Sequence, residues 1–463
     1  MTRAVRAPRS VRRALAAAFD AAIAVVDPLA VARAALTIEG SRLVVRAGHA
    51  RTTLSLRHGV VVIGAGKGAA GLAAGVEAVL GTGIVDGMVI IPPGYERGLA
   101  HVRLALGSHP VPDARSVHAT RRMLGILDRH SDAAVLVLLT GGASSLLAAP
   151  APGLTLADTR RAGEWLLANG VDIARMNAVR KHLSAVTGGR LAARLVGRSA
   201  AALVVSDVPG DDLAVIGSGP TVADPTTYAD ALAVVDPRGV GTRVHRHLAR
   251  GAAGQLDETP KPGSRAARAC PTLLVAGNGT AQTGVAMWAR AHRIARVVRL
   301  RRPVVGDGAA AARFMARTIR RARTAARGPY PTLIVAGGET TVRLDATSGR
   351  GGRNQELATA VAAELAGEPG WAILCAGTDG IDGPTRAAGA FTDGATAARA
   401  RRAGRPLADA LRRHDVHPCL AALGDLFAPG PTGTNVADLT IALVWKDRGW
   451  RLPGRVIQPS SRR

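Results

Sequence analysis

Short aliphatic, β-branched runs alternate with alanine-rich stretches along almost the whole chain, and this rhythm leaves few folds open. Strands are expected at Val60–Ile63, Met88–Ile91, Ala134–Leu139, Ala202–Ser206, Thr272–Ala276, Thr332–Ala336, Ala372–Ala376 and Leu439–Val444. Helices are expected between them at Lys67–Leu80, Ala114–Arg129, Leu156–Asn169, Asn177–Val186, Ala281–His292, Ala309–Ala326, Asn354–Leu365 and Asp393–Arg402. The strand runs are continuously apolar rather than alternating, so both faces must be covered. That pattern predicts an α/β fold on a parallel sheet, which takes ligands at the carboxyl ends of its strands. The polar, proline-bearing segment Gly254–Pro271 breaks the rhythm and reads as an interdomain connection. It sets a boundary near residue 262, giving a domain over 1–262 and a C-terminal region over 263–463.

Composition removes several function classes. The net charge of +26 invites a nucleic-acid reading, but the basic residues are scattered along the chain and aromatics for base stacking are only 3%. No nucleic-acid partner is expected; the basic field suits small anions instead. Cys270, Cys375 and Cys419 lie far apart with no CxxC, which argues against a disulfide framework or zinc site. No run is long and apolar enough to span a membrane. The N-terminus, with Arg3, Arg6, Arg9, Arg12 and Arg13, superficially resembles a targeting peptide. Asp20 interrupts its apolar run, so a surface helix and a cytoplasmic protein are expected. The C-terminal tail from Asp447 is basic and expected to fray. A homodimer stays open.

Most of the chemistry sits where strands end. Of 60 Lys and Arg residues only Lys67, Lys181, Lys261 and Lys446 are lysine, and Lys67 lies in the turn Gly64-Ala-Gly66-Lys67 between a buried run and a helix. A compact ammonium in a glycine turn at a helix start suggests a held anion such as phosphate. The turn matches a loose dinucleotide fingerprint, but the next strand ends in Pro92-Pro93-Gly94 and supplies no ribose-binding acid. Nor is it a P-loop, since Val61 stands at the first glycine and Gly68 at the Ser/Thr position.

Further turns repeat the theme. Gly141-Gly142-Ala143-Ser144-Ser145 and Gly337-Gly338-Glu339-Thr340 are expected to offer backbone N–H groups to phosphate or substrate. On the expected helix from Asn177, the residues Asn177, Lys181 and Ser184 share a face, as do Arg180 and Ser184, and such a face can bind a carboxylate or phosphate. Asp207 and Asp379 each follow a strand and are candidates for a metal or for a substrate proton. His109 reads as a turn residue.

Taken in order, these motifs resemble the MOFRL-type glycerate 2-kinases, a family that also carries an older hydroxypyruvate reductase label. The resemblance rests on Gly64-Ala-Gly-Lys67, Gly107-Ser-His-Pro-Val-Pro-Asp113, Gly141-Gly-Ala-Ser-Ser-Leu-Leu147, Asn177-Ala-Val-Arg-Lys-His-Leu-Ser184, Ser206-Asp-Val-Pro-Gly-Asp-Asp212, Gly337-Gly-Glu-Thr-Thr341, Gly349-Arg-Gly-Gly-Arg-Asn-Gln-Glu356, Gly377-Thr-Asp-Gly-Ile-Asp-Gly-Pro384 and Gly430-Pro-Thr-Gly-Thr-Asn-Val-Ala-Asp438. Ala143 stands where glycine is expected.

The resemblance implies a Rossmann-like N-terminal domain, a smaller C-terminal α/β domain (MOFRL, about 331–445) and an active site in the interdomain cleft. It implies transfer of a phosphoryl group from ATP, with Mg²⁺, to the 2-hydroxyl of D-glycerate. Lys67 and Arg353 match the family's proposed catalytic pair, and Asn354 follows Arg353 in the same motif. The alternatives are an NAD(P)-dependent hydroxypyruvate reductase and a non-enzymatic sensor of sugar acids or nucleotides.

Overall fold

The computed structural model describes residues 6–325, 330–345 and 347–446, so the tail from Asp447 and the expected helix end at Ala326 lie outside the described residues. The chain divides into two units, Asp27–Ala276 and Met1–Val26 with Gly277–Arg463.

The unit Asp27–Ala276 is built on six parallel strands in the order Arg103–Leu106, Ile84–Ile91, Val60–Ala65, Ala134–Leu139, Ala200–Val205, Thr272–Ala276. Every residue of Val60–Ala65, Ala134–Leu139 and Ala200–Val205 is buried, as continuous apolar runs require in a sheet covered on both faces. The chain enters at Val60–Ala65, winds outward to Arg103–Leu106, then crosses back to Ala134–Leu139 and winds the other way. The reversal between Val60–Ala65 and Ala134–Leu139 opens a crevice at their carboxyl ends. Helix Ala114–Arg129 covers this sheet through Met123 and Ile126, and starts where the Asp113 carboxylate accepts the Arg115 and Ser116 N–H groups.

A second, helical layer in this unit joins Leu156–Ala168, Ile173–His182, Tyr228–Leu232 and Thr242–Ala252 around Leu166, Val179, Tyr228 and Leu248. The segment Gly254–Pro271, expected to connect domains, is tied into this layer instead. Glu258 accepts from the N–H groups of Tyr228 (2.9 Å) and Thr259 (2.7 Å) and lies 2.8 Å from Nε2 of the buried His182. Strand Thr272–Ala276 then pairs with Ala200–Val205, so the unit ends at Ala276 rather than near residue 262.

Burial raises the Glu258 pKa, but the two backbone N–H groups and His182 outweigh it and bring it down from 4.5 to about 2. A depressed carboxylate stabilises the fold fully above its unfolded value and loses that contribution as pH falls through the folded one. Glu258→Gln is therefore expected to unfold about 1 kcal/mol more easily than the parent at pH 7, with the difference vanishing between pH 4.5 and 2 in denaturant titrations.

An antiparallel sheet of Leu36–Glu39, Arg42–Ala47 and Ala50–Ser55 was not expected. Its hairpin turns contain Gly40 and Gly48 at φ +59° and +54°, the left-handed conformation that short hairpin loops demand.

The other unit carries a seven-stranded mixed sheet in the order Arg296–Arg299, Thr332–Thr341, Asp438–Val444, Trp371–Gly377, Gly389–Asp393, Leu426–Phe427, with Val304–Asp307 also on Thr332–Thr341. It is the smaller α/β domain expected, and the centre of its sheet is antiparallel because Asp438–Val444 returns between Thr332–Thr341 and Trp371–Gly377. Helix Arg9–Val25 belongs to this unit. It buries Val11, Leu15, Ala18 and Phe19, and the Phe19 ring meets Phe427 edge-on at 5.1 Å. The N-terminal arginines have a structural use: Arg12, with Arg399, converges on the fully buried Asp425. Among the described residues no single helix is long and apolar enough to cross a membrane.

Candidate active site

In the unit Asp27–Ala276 the site forms where the sheet reverses. Lys67 stands in the turn leaving Val60–Ala65, before helix Ala69–Leu80. The turn's amides are already used: Gly66 N–H donates to Ile90 O (3.0 Å), Lys67 N–H to Gly141 O (2.9 Å) and Gly68 N–H to Thr140 Oγ1 (2.9 Å). This turn therefore presents a side chain and not a backbone cradle, which corrects the expectation for Gly64 and Gly66 as phosphate contacts. Their glycine identity serves packing. A Cβ on Gly64 would fall 2.0 Å from Leu138 O, and one on Gly66 would fall 2.1 Å from Thr140 Oγ1.

The next turn, after Ala134–Leu139, supplies the missing donors. The N–H groups of Gly142 and Ser144 have no acceptor among the described residues. Gly142 adopts φ +87°, and a Cβ there would lie 2.9 Å from His109 Cδ2 and 3.7 Å from Lys67 Cγ. A Cβ on Gly141 would lie 2.1 Å from Asp207 Oδ2. Lys67, His109, Asp207 and the Gly141-Gly142 backbone thus meet at the ends of neighbouring strands. His109, read from sequence as a turn residue only, joins the site; its occurrence in an ordered motif was the available signal.

A cavity of about 490 Å³ opens beside this corner, with His109, Gly142, Ser144, Ser145 and Arg180 in its wall. The Ser144 and Ser218 hydroxyls are 3.0 Å apart, and Ser145 Oγ donates to Gly142 O. The helix expected over Asn177–Val186 runs from Ile173 to His182, so Ser184 lies beyond it. Asn177 and Lys181 do share a face, but it is the buried one. Lys181 is 5% exposed with Nζ 3.3 Å from Asp224, and Asn177 is equally buried. Lys181 is corrected as a substrate contact, because burial and the Asp224 charge hold it inward; the buried Asn177 keeps a side-chain amide nitrogen without a partner, and of that helix's candidates Arg180 lines the cavity.

The other unit holds the second cluster. Arg353 opens helix Arg353–Glu364 and grips both oxygens of Asp438, Nε to Oδ2 at 2.6 Å and Nη2 to Oδ1 at 2.9 Å. Its Nη1 lies 2.8 Å from Glu339 Oε1. Burial works against the Arg353 charge, but Asp438, then Glu339 and Asp382, outweigh it and push its pKa up. Two carboxylates on one guanidinium leave excess negative charge. The Asp379 carboxylate lies close by, since a Cβ on Gly377 would be 3.2 Å from Asp379 Oδ1 and 3.6 Å from Asp438 Oδ1. Asp438 ends one of the ordered motifs, but its place beside Arg353 has no local sign because the two are far apart in the chain.

Two expectations for this unit are corrected. Gly337-Gly338-Glu339-Thr340 is not a turn: strand Thr332–Thr341 continues through it, paired with Val304–Asp307 and with Asp438–Val444. Glycine at 337 makes room for Asn278, whose side-chain amide donates to the Val436 and Asp438 carbonyls. Asn354 is 1% exposed, with its N–H and side-chain amide on Asp382, the carboxylate that closes the helix N-terminus. It secures Asp382 and does not face a substrate. Among the described residues no three His, Cys, Asp or Glu side chains converge on a metal position. Asp207 and Asp379 belong to different units.

A doubly wound sheet with a lysine and a glycine turn at its reversal, followed by a mixed-sheet unit with an arginine–carboxylate cluster, defines a class of two-unit α/β protein. Residues 14–251 match the Domain of unknown function (DUF4147) family and residues 332–438 match the MOFRL family. The glycerate 2-kinase of Pyrococcus horikoshii is 33% identical over 436 residues, covering 92% of this chain and 96% of that protein. A protein of Agrobacterium vitis, provisionally named hydroxypyruvate reductase, is 38% identical over 83% of this chain and 87% of its own length. The crystal structure of glycerate kinase from Thermotoga maritima matches with a TM-score of 0.80 at 32% identity, covering 94% of this chain and all of that one. The chain belongs to the MOFRL-type glycerate 2-kinase family.

Proposed function

We propose that this protein transfers the γ-phosphoryl group of Mg–ATP to the 2-hydroxyl of D-glycerate, giving 2-phosphoglycerate and ADP. The observation that carries the reading is Lys67 beside the open Gly142 turn at the sheet reversal. Phosphoryl transfer asks a protein for positioning and charge stabilisation more than for covalent chemistry. The Lys67 ammonium stabilises charge on the migrating group, and the Gly142 and Ser144 N–H groups donate to its oxygens or to the acceptor. The 2-hydroxyl oxygen bonds to phosphorus as the bond to the β-phosphate oxygen breaks, and Asp207 takes the hydroxyl proton.

Magnesium arrives with the nucleotide as substrate. It typically binds one or two carboxylates plus phosphate oxygens, and Asp379 or Asp207 would be the carboxylate that holds it. Arg353, with its guanidinium nitrogens engaged by Asp438 and Glu339, acts by holding these carboxylates in place.

The reductase name among relatives motivates a second reading, and the Gly64–Lys67 turn disfavours it. A dinucleotide site sets its pyrophosphate on free amides of such a turn, whereas here those of Gly66, Lys67 and Gly68 bond Ile90, Gly141 and Thr140. The test is a pair of assays, one with D-glycerate and Mg–ATP, the other with hydroxypyruvate and NAD(P)H. ADP and 2-phosphoglycerate are expected in the first and no nicotinamide oxidation in the second; the reverse result overturns the kinase.

A further inference from the structure

Arg180 is a charge in the cavity wall of the unit Asp27–Ala276 that the site described above does not account for. It is partly buried in the cavity wall, and no carboxylate or other acceptor pairs with it among the described residues. Burial, with no carboxylate in compensation, pushes its pKa down, so the guanidinium sits where its charge is least comfortable. Such a group is stabilised by an anion supplied from outside, and guanidinium geometry matches a carboxylate fork.

The cavity has a second unmet group. Thr187 is 4% exposed and lines the cavity, and its Oγ1 is buried with no partner. Ser144, Ser145, Ser184 and Ser218 add hydroxyls to the same wall. The acid in the lining is Glu164, which is 68% exposed and 4.0 Å from Arg160, also in the lining. The wall is thus poor in carboxylates for a magnesium-bound triphosphate and well supplied for a hydroxy acid. His109 and Thr159 also line the cavity, and its apolar part comes from Leu147, Leu166, Leu167, Val179 and Leu183. Its 490 Å³ lies in the range that encloses drug-sized ligands, far more than a three-carbon acid fills.

We propose that this cavity is the acceptor site: Arg180 binds the carboxylate of a 2-hydroxy acid, and the leucine–valine wall admits acids with longer apolar tails than glycerate. The inference deepens the kinase reading and rests on it. The hydroxyl is then directed to the Gly142 side of the cavity, beside Lys67.

Steady-state kinetics with Mg–ATP test it. Arg180→Met is expected to raise KM for D-glycerate roughly 10- to 100-fold, the range for losing a charged hydrogen-bond partner, with KM for ATP within twofold. Arg180→Lys is expected to recover part of the loss. The parent enzyme should prefer D-glycerate to D-glyceramide, and Arg180→Met should lose that preference, a readout that misfolding cannot imitate. The parent should also phosphorylate 2-hydroxy-4-methylpentanoate with kcat/KM within about tenfold of D-glycerate, and Leu167→Trp should penalise the longer acid more than glycerate.

A raised KM for ATP with unchanged KM for glycerate places the nucleotide in the cavity and overturns the proposal, as does no turnover of the longer acid. If Arg180→Met does not fold, an unchanged acid-to-amide preference in the charge-neutral Arg180→Gln overturns it. A parent enzyme inactive on D-glycerate overturns the kinase reading itself, and this inference with it; an active parent with an indifferent Arg180 overturns the inference alone.

Discussion

Lys67→Ala is expected to lower kcat by about 10³-fold, the scale for removing a cation that stabilises a transferring phosphoryl group. KM for D-glycerate should move little, because the interaction grows with charge in the transition state. Thermal unfolding should be nearly unchanged: the turn is held by the Lys67 N–H on Gly141 O and the Gly68 N–H on Thr140 Oγ1, neither of which needs the side chain. Lys67→Arg should recover little of the rate. The lysine stem lies against Gly142, where a Cβ would be 3.7 Å from Lys67 Cγ, and a planar fork is not a point charge on a flexible stem. Initial rates at saturating Mg–ATP decide it; turnover within tenfold of the parent removes Lys67 from the chemistry.

The largest stability effect is expected at Asp425, in the unit that contains the N-terminal helix. Its fully buried carboxylate lies 2.5 Å from Arg12 and from Arg399 and 3.3 Å from Arg6. Arg12 and Arg399 are themselves 15% and 13% exposed, so Asp425→Ala strands two poorly hydrated cations. Breaking such a buried cluster from one side costs about 3–5 kcal/mol. Arg6 is 48% exposed, and Arg6→Ala should cost under about 1 kcal/mol. Denaturant unfolding of the two variants tests the contrast. Equal small losses would show that the N-terminal helix is held by its apolar face alone, through Leu15, Ala18 and Phe19.

What was legible followed periodicity. The buried strands Val60–Ala65 and Ala134–Leu139 and helix Ala114–Arg129 come from local pattern, because burial on both faces and a capping Asp113 write themselves into neighbouring residues. The early antiparallel sheet was also written locally, in Gly40 and Gly48 between β-branched runs, yet its strands are short and half exposed, so periodicity gave them little weight. Side-chain direction was harder to read. Asn177, Arg180 and Lys181 lie within a few residues, and only Asp224, a partner distant in sequence, decides that Lys181 turns inward while Arg180 meets the cavity.

The sequence by itself determined the doubly wound sheet, the glycine-rich strand ends, the family and the prominence of Lys67, because each is encoded in contiguous residues. Tertiary structure alone decided how those ends are used. The Gly66–Gly68 amides are consumed by Thr140, Gly141 and Ile90, Gly337–Thr340 is a paired strand, and Asn354 is bound to Asp382. Each depends on which distant backbone or carboxylate arrives to satisfy a buried polar group, and hydrogen-bond partners far apart in the chain leave no local pattern.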